Sequence, residues 1–229
     1  MGQIIMTVEA INWTDGNVGH VKVCLNGGSC HIDWGDGCTC YMQTDKCEWL
    51  YDIHFYSVSC KAEGRKFDIV ISSDGDNIIG IWADSGEMNV YDIDISKCQS
   101  LEYFRASYLI NHFDLTTNPG LKIIELKGEA CGLADFSRST ELKELYYQYT
   151  GGGRYSGVKK LDLTKCDKLE CLECRHAYEL THITISNKSA LKELVYDEET
   201  PLSGKPLEII KRTIERNGGK IIKENNDIA

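Results

Sequence analysis

Five residues between positions 161 and 187 carry side chains that bind metals or exchange electrons: Cys166, Cys171, Cys174, His176 and His182. Two of the cysteines form a Cys-x-x-Cys arrangement, which is the spacing of zinc knuckles and of thiol redox centres. A zinc site of this kind needs both cysteines on one side of a tight turn, because a single ion must reach both sulfurs. The elements that contain these residues therefore decide what they can do.

A short apolar pattern recurs from Ile78 to the copy that begins at Leu191. It reads apolar, two residues, apolar, one residue, apolar, and it returns about every 21 residues. Its copies begin at Ile78, Leu101, Leu121, Leu142, Leu169 and Leu191, and a further apolar column lies between them at Ile95, Leu115, Phe136, Leu163 and Ile185. Each copy predicts a strand, or rung, whose inward side chains join those of its neighbours in one continuous core.

The repeat answers the question that the cysteines raise. In an extended strand, side chains three residues apart point to opposite faces, so Cys171 and Cys174 cannot bind one ion. Cys174 falls in the third inward column with Leu126 and Tyr147, and Cys166 falls at a turn position. We therefore interpret these cysteines as small apolar core residues.

The segments LECLEC, LTHITISN and VKKLDLTKCDKL resemble the leucine-rich-repeat surface proteins of gut-dwelling bacteria, which are internalin-like in architecture. Ala177 stands at the usual asparagine position and one residue is inserted before Leu180, so a regular asparagine ladder is not expected. The resemblance implies a short parallel-sheet solenoid of about six rungs over residues 77–203, and a secreted or cell-surface location.

Residues 1–76 have a different texture, with short β-rich runs separated by turns that contain Gly and Asp. They resemble polycystic-kidney-disease-type, immunoglobulin-like modules. The resemblance is carried by Asp33, Trp34, Gly35, Asp36, Gly37, His54 and Tyr56. The fold class predicted for the whole chain is therefore mainly β: an N-terminal β-sandwich followed by a leucine-rich-repeat solenoid.

The last segment, residues 204–229, predicts a C-terminal cap made of a helix over residues 205–217 and a tail. Pro206 suits the first turn of the helix, and Leu207, Ile210 and Ile214 fall on one face. Gly218 is a stop signal. The following KIIKE predicts either a short strand or a frayed tail.

Asp33 and Asp36 suggest a calcium site, because hard cations take several oxygen ligands. Two carboxylates are too few for a full coordination shell, and Asp-Gly is a tight-turn signal in which each aspartate bonds to its own turn. We favour the turn, and the two aspartates remain weak metal candidates.

A zinc site is also conceivable around Cys38 and Cys40, with Cys30, His31 and Cys47 near them in sequence. Alternation places Cys38 and Cys40 on one face but supplies no second paired half-site at regular spacing. We predict no cofactor and mostly free thiols among the eleven cysteines. A metal- or thiol-dependent protein that uses these N-terminal cysteines stays open as an alternative.

Charge and hydropathy exclude several classes of partner. The formal net charge of -10 argues against nucleic acid and against an anionic membrane surface. No run approaches eighteen apolar residues, so no membrane insertion is predicted. The opening residues lack the basic start and apolar core of a secretory signal, and the sequence leaves the compartment open.

No catalytic motif stands out, and we predict a protein that is not an enzyme. The residues between the inward columns form an exposed face, where aromatic and arginine side chains dominate binding energetics. The candidate binding residues are Trp82, Tyr103, Arg105, Glu125, Tyr146, Glu173 and Arg175, with Arg154 and Tyr155 in the glycine-rich insertion 150–157. We expect a protein partner, and the alternative is a glycan stacked on the aromatic rings.

Overall fold

The structure is a computed structural model, and it describes residues 2–9, 18–55, 66–83, 89–107, 110–148 and 158–224. Over these residues the chain is mainly β and contains one α-helix. The chain divides into two compact units, residues 1–118 and 119–229. The predicted boundary after residue 76 lies within the first unit, and the predicted domain organisation stays a prediction.

The first unit consists of eight described strands and one short 3₁₀ helix, Leu115–Thr117. The strands are β1 (Gln3–Glu9), β2 (Val18–Asp33), β3 (Thr39–Phe55), β4 (Lys66–Ser72), β5 (Ile78–Ala83), β6 (Asn89–Lys97), β7 (Tyr103–Ser107) and β8 (His112–Phe113). They lie in the order β7-β5-β2-β4-β1-β6-β8, and β3 pairs with β2. The pairs β5–β7 and β6–β8 are parallel, and the other pairs are antiparallel.

The hairpin of β2 and β3 folds back on itself. The Cys40 thiol donates to the Asp52 carboxylate at 2.8 Å, although both residues belong to β3. Residues 18–26 with 47–55 form the first arm of the hairpin, and residues 28–33 with 39–44 form the second arm. The first arm pairs with β5 and the second arm pairs with β4, so the hairpin is hydrogen-bonded to two different strands of the sheet.

The bend lies at Gly27 and Gly28, where the register of β2 against β3 shifts. Both glycines have positive φ, 72° and 78°, which L side chains rarely adopt. The Asn77 side chain holds the bend by donating to the carbonyls of Gly27 at 2.8 Å and Ser29 at 3.3 Å. The backbone carbonyl of Asn77 accepts from the Asn26 N–H at 2.8 Å, so Asn77 is bonded to both sides of the corner.

The N-terminal region differs from the sequence prediction in its strands. The sequence predicted short β-rich runs separated by turns, but β2 and β3 are long strands of 16 and 17 residues. The described strands β1 to β4 belong to one hydrogen-bonded sheet. The predicted β-sandwich is therefore not confirmed, and the immunoglobulin-like assignment stays a prediction.

The second unit contains β9 (Ile123–Lys127), a 3₁₀ helix (Gly128–Leu133), β10 (Glu144–Gln148), β11 (Lys160–Leu163), β12 (Cys171–Arg175), β13 (His182–Ile185), β14 (Glu193–Asp197), α1 (Gly204–Arg216) and β15 (Lys220–Glu224). Its main sheet is parallel, in the order β9-β10-β12-β14-β15, and β11 and β13 form a second parallel pair. The chain has a β-solenoid-like arrangement of about four turns. A strand stands at each predicted rung position.

The predicted inward columns form the core. Every residue of the three columns is buried, and Leu145 pairs with Ile124 on one side and Leu172 on the other, as predicted. The residues of the further column are buried except Ile185, which is half-buried. The same backbone hydrogen bond recurs at the buried turn positions: the N–H of the turn residue donates to the carbonyl three residues earlier. These positions include Cys98, Asn118, Ser139 and Cys166.

The two cysteines of the Cys-x-x-Cys arrangement lie on opposite faces of β12, as predicted. Cys174 is completely buried, whereas Cys171 is half-buried on the other face. Each cysteine that the structure describes is a free thiol. This arrangement excludes a shared ion between the two sulfurs.

The helix predicted over residues 205–217 is α1, and its predicted apolar face is buried through Leu207, Ile210 and Ile214. The KIIKE segment is the strand β15, paired with β14. The glycine-rich insertion 150–157 lies outside the described residues. No helix in the described part of the chain has the length and apolar character needed to cross a membrane.

Candidate binding face

Trp82 lies between two cations on the outward face of the first unit. It pairs with Lys22 across β2 and β5, and with Arg105 across β5 and β7. Residues directly opposite on paired strands project to the same face, and β5 runs between the other two strands. The Lys22 Nζ lies 3.9 Å from the ring centroid and the Arg105 Cζ lies 3.8 Å from it. The indole is therefore flanked by a cation on each side, which is a stabilising arrangement.

A second row lies beside the first and runs through Trp49, Cys24, Gly80 and Tyr103. The Trp49 and Tyr103 rings are nearly perpendicular, with centroids 4.9 Å apart. The Trp49 ring reaches across Gly80, where an added Cβ would lie 2.8 Å from Trp49. The missing side chain of Gly80 therefore makes room for the indole.

The outer border of this surface is formed by β3. Tyr51 pairs with Lys22 and is 53% exposed, and Ile53 follows two residues later at 42% exposed. The Tyr51 hydroxyl contacts the His20 imidazole. We call the surface made of Lys22, Trp49, Tyr51, Trp82, Tyr103 and Arg105 the aromatic face. It presents apolar rings and two cations side by side.

The structure brings three predicted residues, Trp82, Tyr103 and Arg105, into this face. Sequence reasoning missed Lys22, Trp49 and Tyr51, because it searched for binding residues only within the repeat. The signal that would have found them is the alternation of large apolar residues at positions 49, 51 and 53, which places all three on one side of a strand.

The predicted binding residues of the second unit lie in a polar network. Glu125, Tyr146 and Glu173 stand side by side on neighbouring strands. The Tyr146 hydroxyl donates to Glu144 at 2.7 Å, and this bond raises the pKa of Tyr146 well above its usual range. Arg175 forms ion pairs with Glu173 at 3.1 Å and with Glu224 at 2.9 Å. Arg154 and Tyr155 lie outside the described residues.

The turn between β2 and β3 holds the two aspartates that were considered for calcium. Asp33 Oδ1 accepts from the Gly35 N–H at 2.9 Å, and Asp36 Oδ1 accepts from the Cys38 N–H at 3.0 Å, as predicted for a turn. The other Asp36 oxygen lies 2.7 Å from His54 Nε2. Asp36, Cys38 and His54, whose ligand atoms all lie within 4.8 Å of one another, form what we call the hairpin-end cluster.

A second group of metal-binding residue types lies in the other unit, and it consists of His176, Asp197 and Glu199. His176 Nδ1 lies 2.6 Å from Glu199 and 3.2 Å from Asp197. The Asp197 oxygens are also bonded to the His176 N–H at 2.7 Å and to the Thr200 hydroxyl at 2.9 Å. Asp197 thus holds the chain after β12 against the chain after β14, which is a structural role.

Comparison with protein families, curated proteins and solved structures finds no family model, no curated protein and no solved structure that matches this chain. The candidate sites are therefore judged on their own geometry and chemistry.

Proposed function

We propose that this chain is a non-enzymatic binding protein that docks a protein partner on the aromatic face. The observation that carries the proposal is the position of Trp82 between Lys22 and Arg105, beside the Trp49–Tyr103 pair. Trp, Tyr and Arg are the residue types that contribute most to protein interfaces, and here they are adjacent. A row of rings beside two cations suits a partner that offers apolar side chains next to carboxylates.

The flanked indole favours a protein partner over a glycan. A sugar ring stacks on an aromatic face, but both faces of the Trp82 ring are covered by cations. Trp49 and Tyr51 have exposed area, 37% and 53%, but they form the border of the surface. Glycan binding is the second candidate function, and it rests on these two rings alone.

The repeat is proposed to be a leucine-rich repeat, and the buried inward columns together with the parallel rung strands support this assignment. In such proteins the strands expose one side chain row after another to a partner. Adhesion or another surface interaction is the activity that we propose for the face.

The test compares the partner affinity of two variants in the aromatic face with that of a control variant outside it. A partner isolated with the wild-type chain from its native surroundings is titrated against Tyr51→Ala, Trp82→Ala and the control Tyr41→Ala. Tyr41 is 77% exposed and lies on the other arm of the hairpin, outside the aromatic face. We expect Kd to rise about 30-fold in the first two variants and to stay unchanged in the control.

Equal affinity of all three variants would rule out the aromatic face as the binding surface. Circular dichroism of each variant separates loss of binding from loss of folding. A glycan array with the same variants tests the second function: binding of a glycan that requires Tyr51 but not Trp82 would favour the glycan over the protein partner.

A further inference from the structure

The hairpin-end cluster gathers three side chains from opposite ends of the folded hairpin. Asp36 and Cys38 belong to the turn after β2, whereas His54 lies near the end of β3. They meet because the hairpin folds back at Gly27 and Gly28. An ion bound by all three side chains would therefore hold the two arms together.

The chemistry of the cluster is that of a zinc site. One thiol, one imidazole and one carboxylate are the three ligand types that zinc binds in proteins, and zinc sites with three protein ligands take a water as the fourth. Calcium requires six to eight oxygen ligands, so a set with sulfur and nitrogen does not suit it. The mixture argues against the calcium interpretation of Asp36.

The three ligand groups are close enough together for one small ion to reach all of them. Bonds of about 2.0 to 2.3 Å place neighbouring ligand atoms about 3.3 to 3.6 Å apart. The Asp36 Oδ2 and His54 Nε2 atoms are 2.7 Å apart, and the Cys38 sulfur lies within 4.8 Å of both ligand groups. Opening the Asp36–His54 pair by about 0.6 Å would bring these two atoms to the separation of zinc ligands.

The surroundings already orient the ligands. The His54 ring stacks on the buried Trp34 ring, with centroids 5.0 Å apart and planes 20° apart. The Cys38 N–H donates to Asp36 Oδ1 at 3.0 Å, which leaves Oδ2 directed at the cluster. The side chains of Asp36 and His54 are only 6% and 16% exposed. Such fixed orientation raises metal affinity, because less freedom is lost on binding.

We propose that Asp36, Cys38 and His54 bind one zinc ion, with water as the fourth ligand, and that this ion clasps the two arms of the hairpin. The site differs from the one considered from sequence, since Cys40 bonds to Asp52 and Cys30 is buried. His176, Asp197 and Glu199 offer no thiol, and the Asp197 oxygens are bonded to the chain.

The test measures zinc in the full chain after exposure to zinc chloride and removal of excess metal. We expect one zinc ion per wild-type chain, and at least about a ten-fold lower zinc affinity in Cys38→Ser and in His54→Gln. The matched controls are Cys47→Ser, which removes an exposed thiol outside the cluster, and His176→Gln, which disrupts the second cluster. Both controls should keep the zinc of the wild-type chain.

A second measurement needs no substitution. Cobalt bound through Cys38 gives a thiolate-to-metal charge-transfer band, and zinc should protect Cys38 but not Cys47 from alkylation, as read by fragmentation of the labelled peptides. A wild-type chain that neither retains zinc nor shows the cobalt band overturns the proposal. Full retention of zinc by Cys38→Ser, or its loss from His176→Gln alone, overturns it as well.

Discussion

The Cys40 thiol donates to the Asp52 carboxylate at 2.8 Å, although the two residues lie twelve positions apart in one continuous strand. A straight strand would separate them by about 40 Å. The contact therefore records a sharp fold in the hairpin, which carries both the border of the aromatic face and the hairpin-end cluster. Both sites therefore form only when the hairpin is folded back.

The first prediction concerns the corner of the hairpin. Asn77→Ala removes the two bonds to the carbonyls of Gly27 and Ser29, so we expect the free energy of unfolding to fall by about 1 to 3 kcal/mol. Urea unfolding measures the change. Gln43→Ala, which truncates an exposed amide on β3, serves as control and should change stability by less than about 0.5 kcal/mol. Equal effects of the two variants would show that Asn77 does not hold the corner.

The second prediction is a loss of stability in alkali. Burial raises the pKa of both Cys131 and Cys166 to about 12, from an ordinary value of 9.0. Because the folded state keeps these thiols protonated, their contribution to stability is complete below pH 9.0 and is lost as the pH rises towards 12. We expect each thiol to lower the free energy of unfolding by about 1 kcal/mol between pH 8 and pH 10.

Chemical unfolding under reducing conditions at the two pH values measures this slope. Other groups also ionise in this range, so the comparison with Cys166→Ala isolates one thiol. The variant should show a shallower decline, by about 1 kcal/mol. Identical slopes in the two proteins would show that Cys166 has an ordinary pKa.

The third prediction tests the register of the rungs. Leu145 is fully buried and pairs with Ile124 and Leu172, so Leu145→Asp places a carboxylate in an apolar stack. We expect a loss of more than about 4 kcal/mol, enough to unfold the chain. Leu133→Asp is the control, since Leu133 is 39% exposed and should tolerate the change. Thermal melts compare them, and a wild-type melting temperature in Leu145→Asp would refute the register.

The fourth prediction concerns the reactivity of two cysteines in one strand. Cys171 is half-buried, and burial together with Glu193 raises its pKa to about 11, so it should react slowly with iodoacetamide at pH 8. Cys174 is completely buried and should react only after unfolding. We expect labelling of Cys171 to be at least about ten-fold faster. Equal native rates, measured by mass spectrometry, would contradict their placement on opposite faces.

The fifth prediction concerns the space above Gly80 that the Trp49 ring occupies. Gly80→Ala adds a Cβ at 2.8 Å from the Trp49 ring and 2.9 Å from the Cys24 Cβ, so the indole must shift and its contact with Tyr103 must change. We expect a stability loss of about 1 to 3 kcal/mol and a changed near-ultraviolet circular dichroism spectrum. Gly132→Ala is the control, because an added Cβ there meets no atom within 4 Å. An unchanged spectrum in Gly80→Ala would place Trp49 elsewhere.

The repeat could be read from the sequence because each rung encodes its own pattern. Leu145, Leu172 and Leu194 stand at the same place in successive copies, and the buried side of a strand is set by a local period of two. The same alternation predicted that Cys171 and Cys174 face opposite ways. The sequence also predicted the apolar stripe of α1, because Leu207, Ile210 and Ile214 recur at helical spacing.

The repeat placed Trp82, Tyr103 and Arg105 on one face, but only the tertiary structure decided which side chains lie beside them and where the hairpin-end cluster forms. The fold-back brings His54 to Asp36 across eighteen positions of sequence, and it depends on a corner that Asn77 holds from another part of the chain. Lys22 and Arg105 meet on Trp82 because β5 pairs with β2 on one edge and β7 on the other. Strand pairing between distant segments leaves no period in the sequence, because hydrogen bonds between backbones do not depend on the side chains.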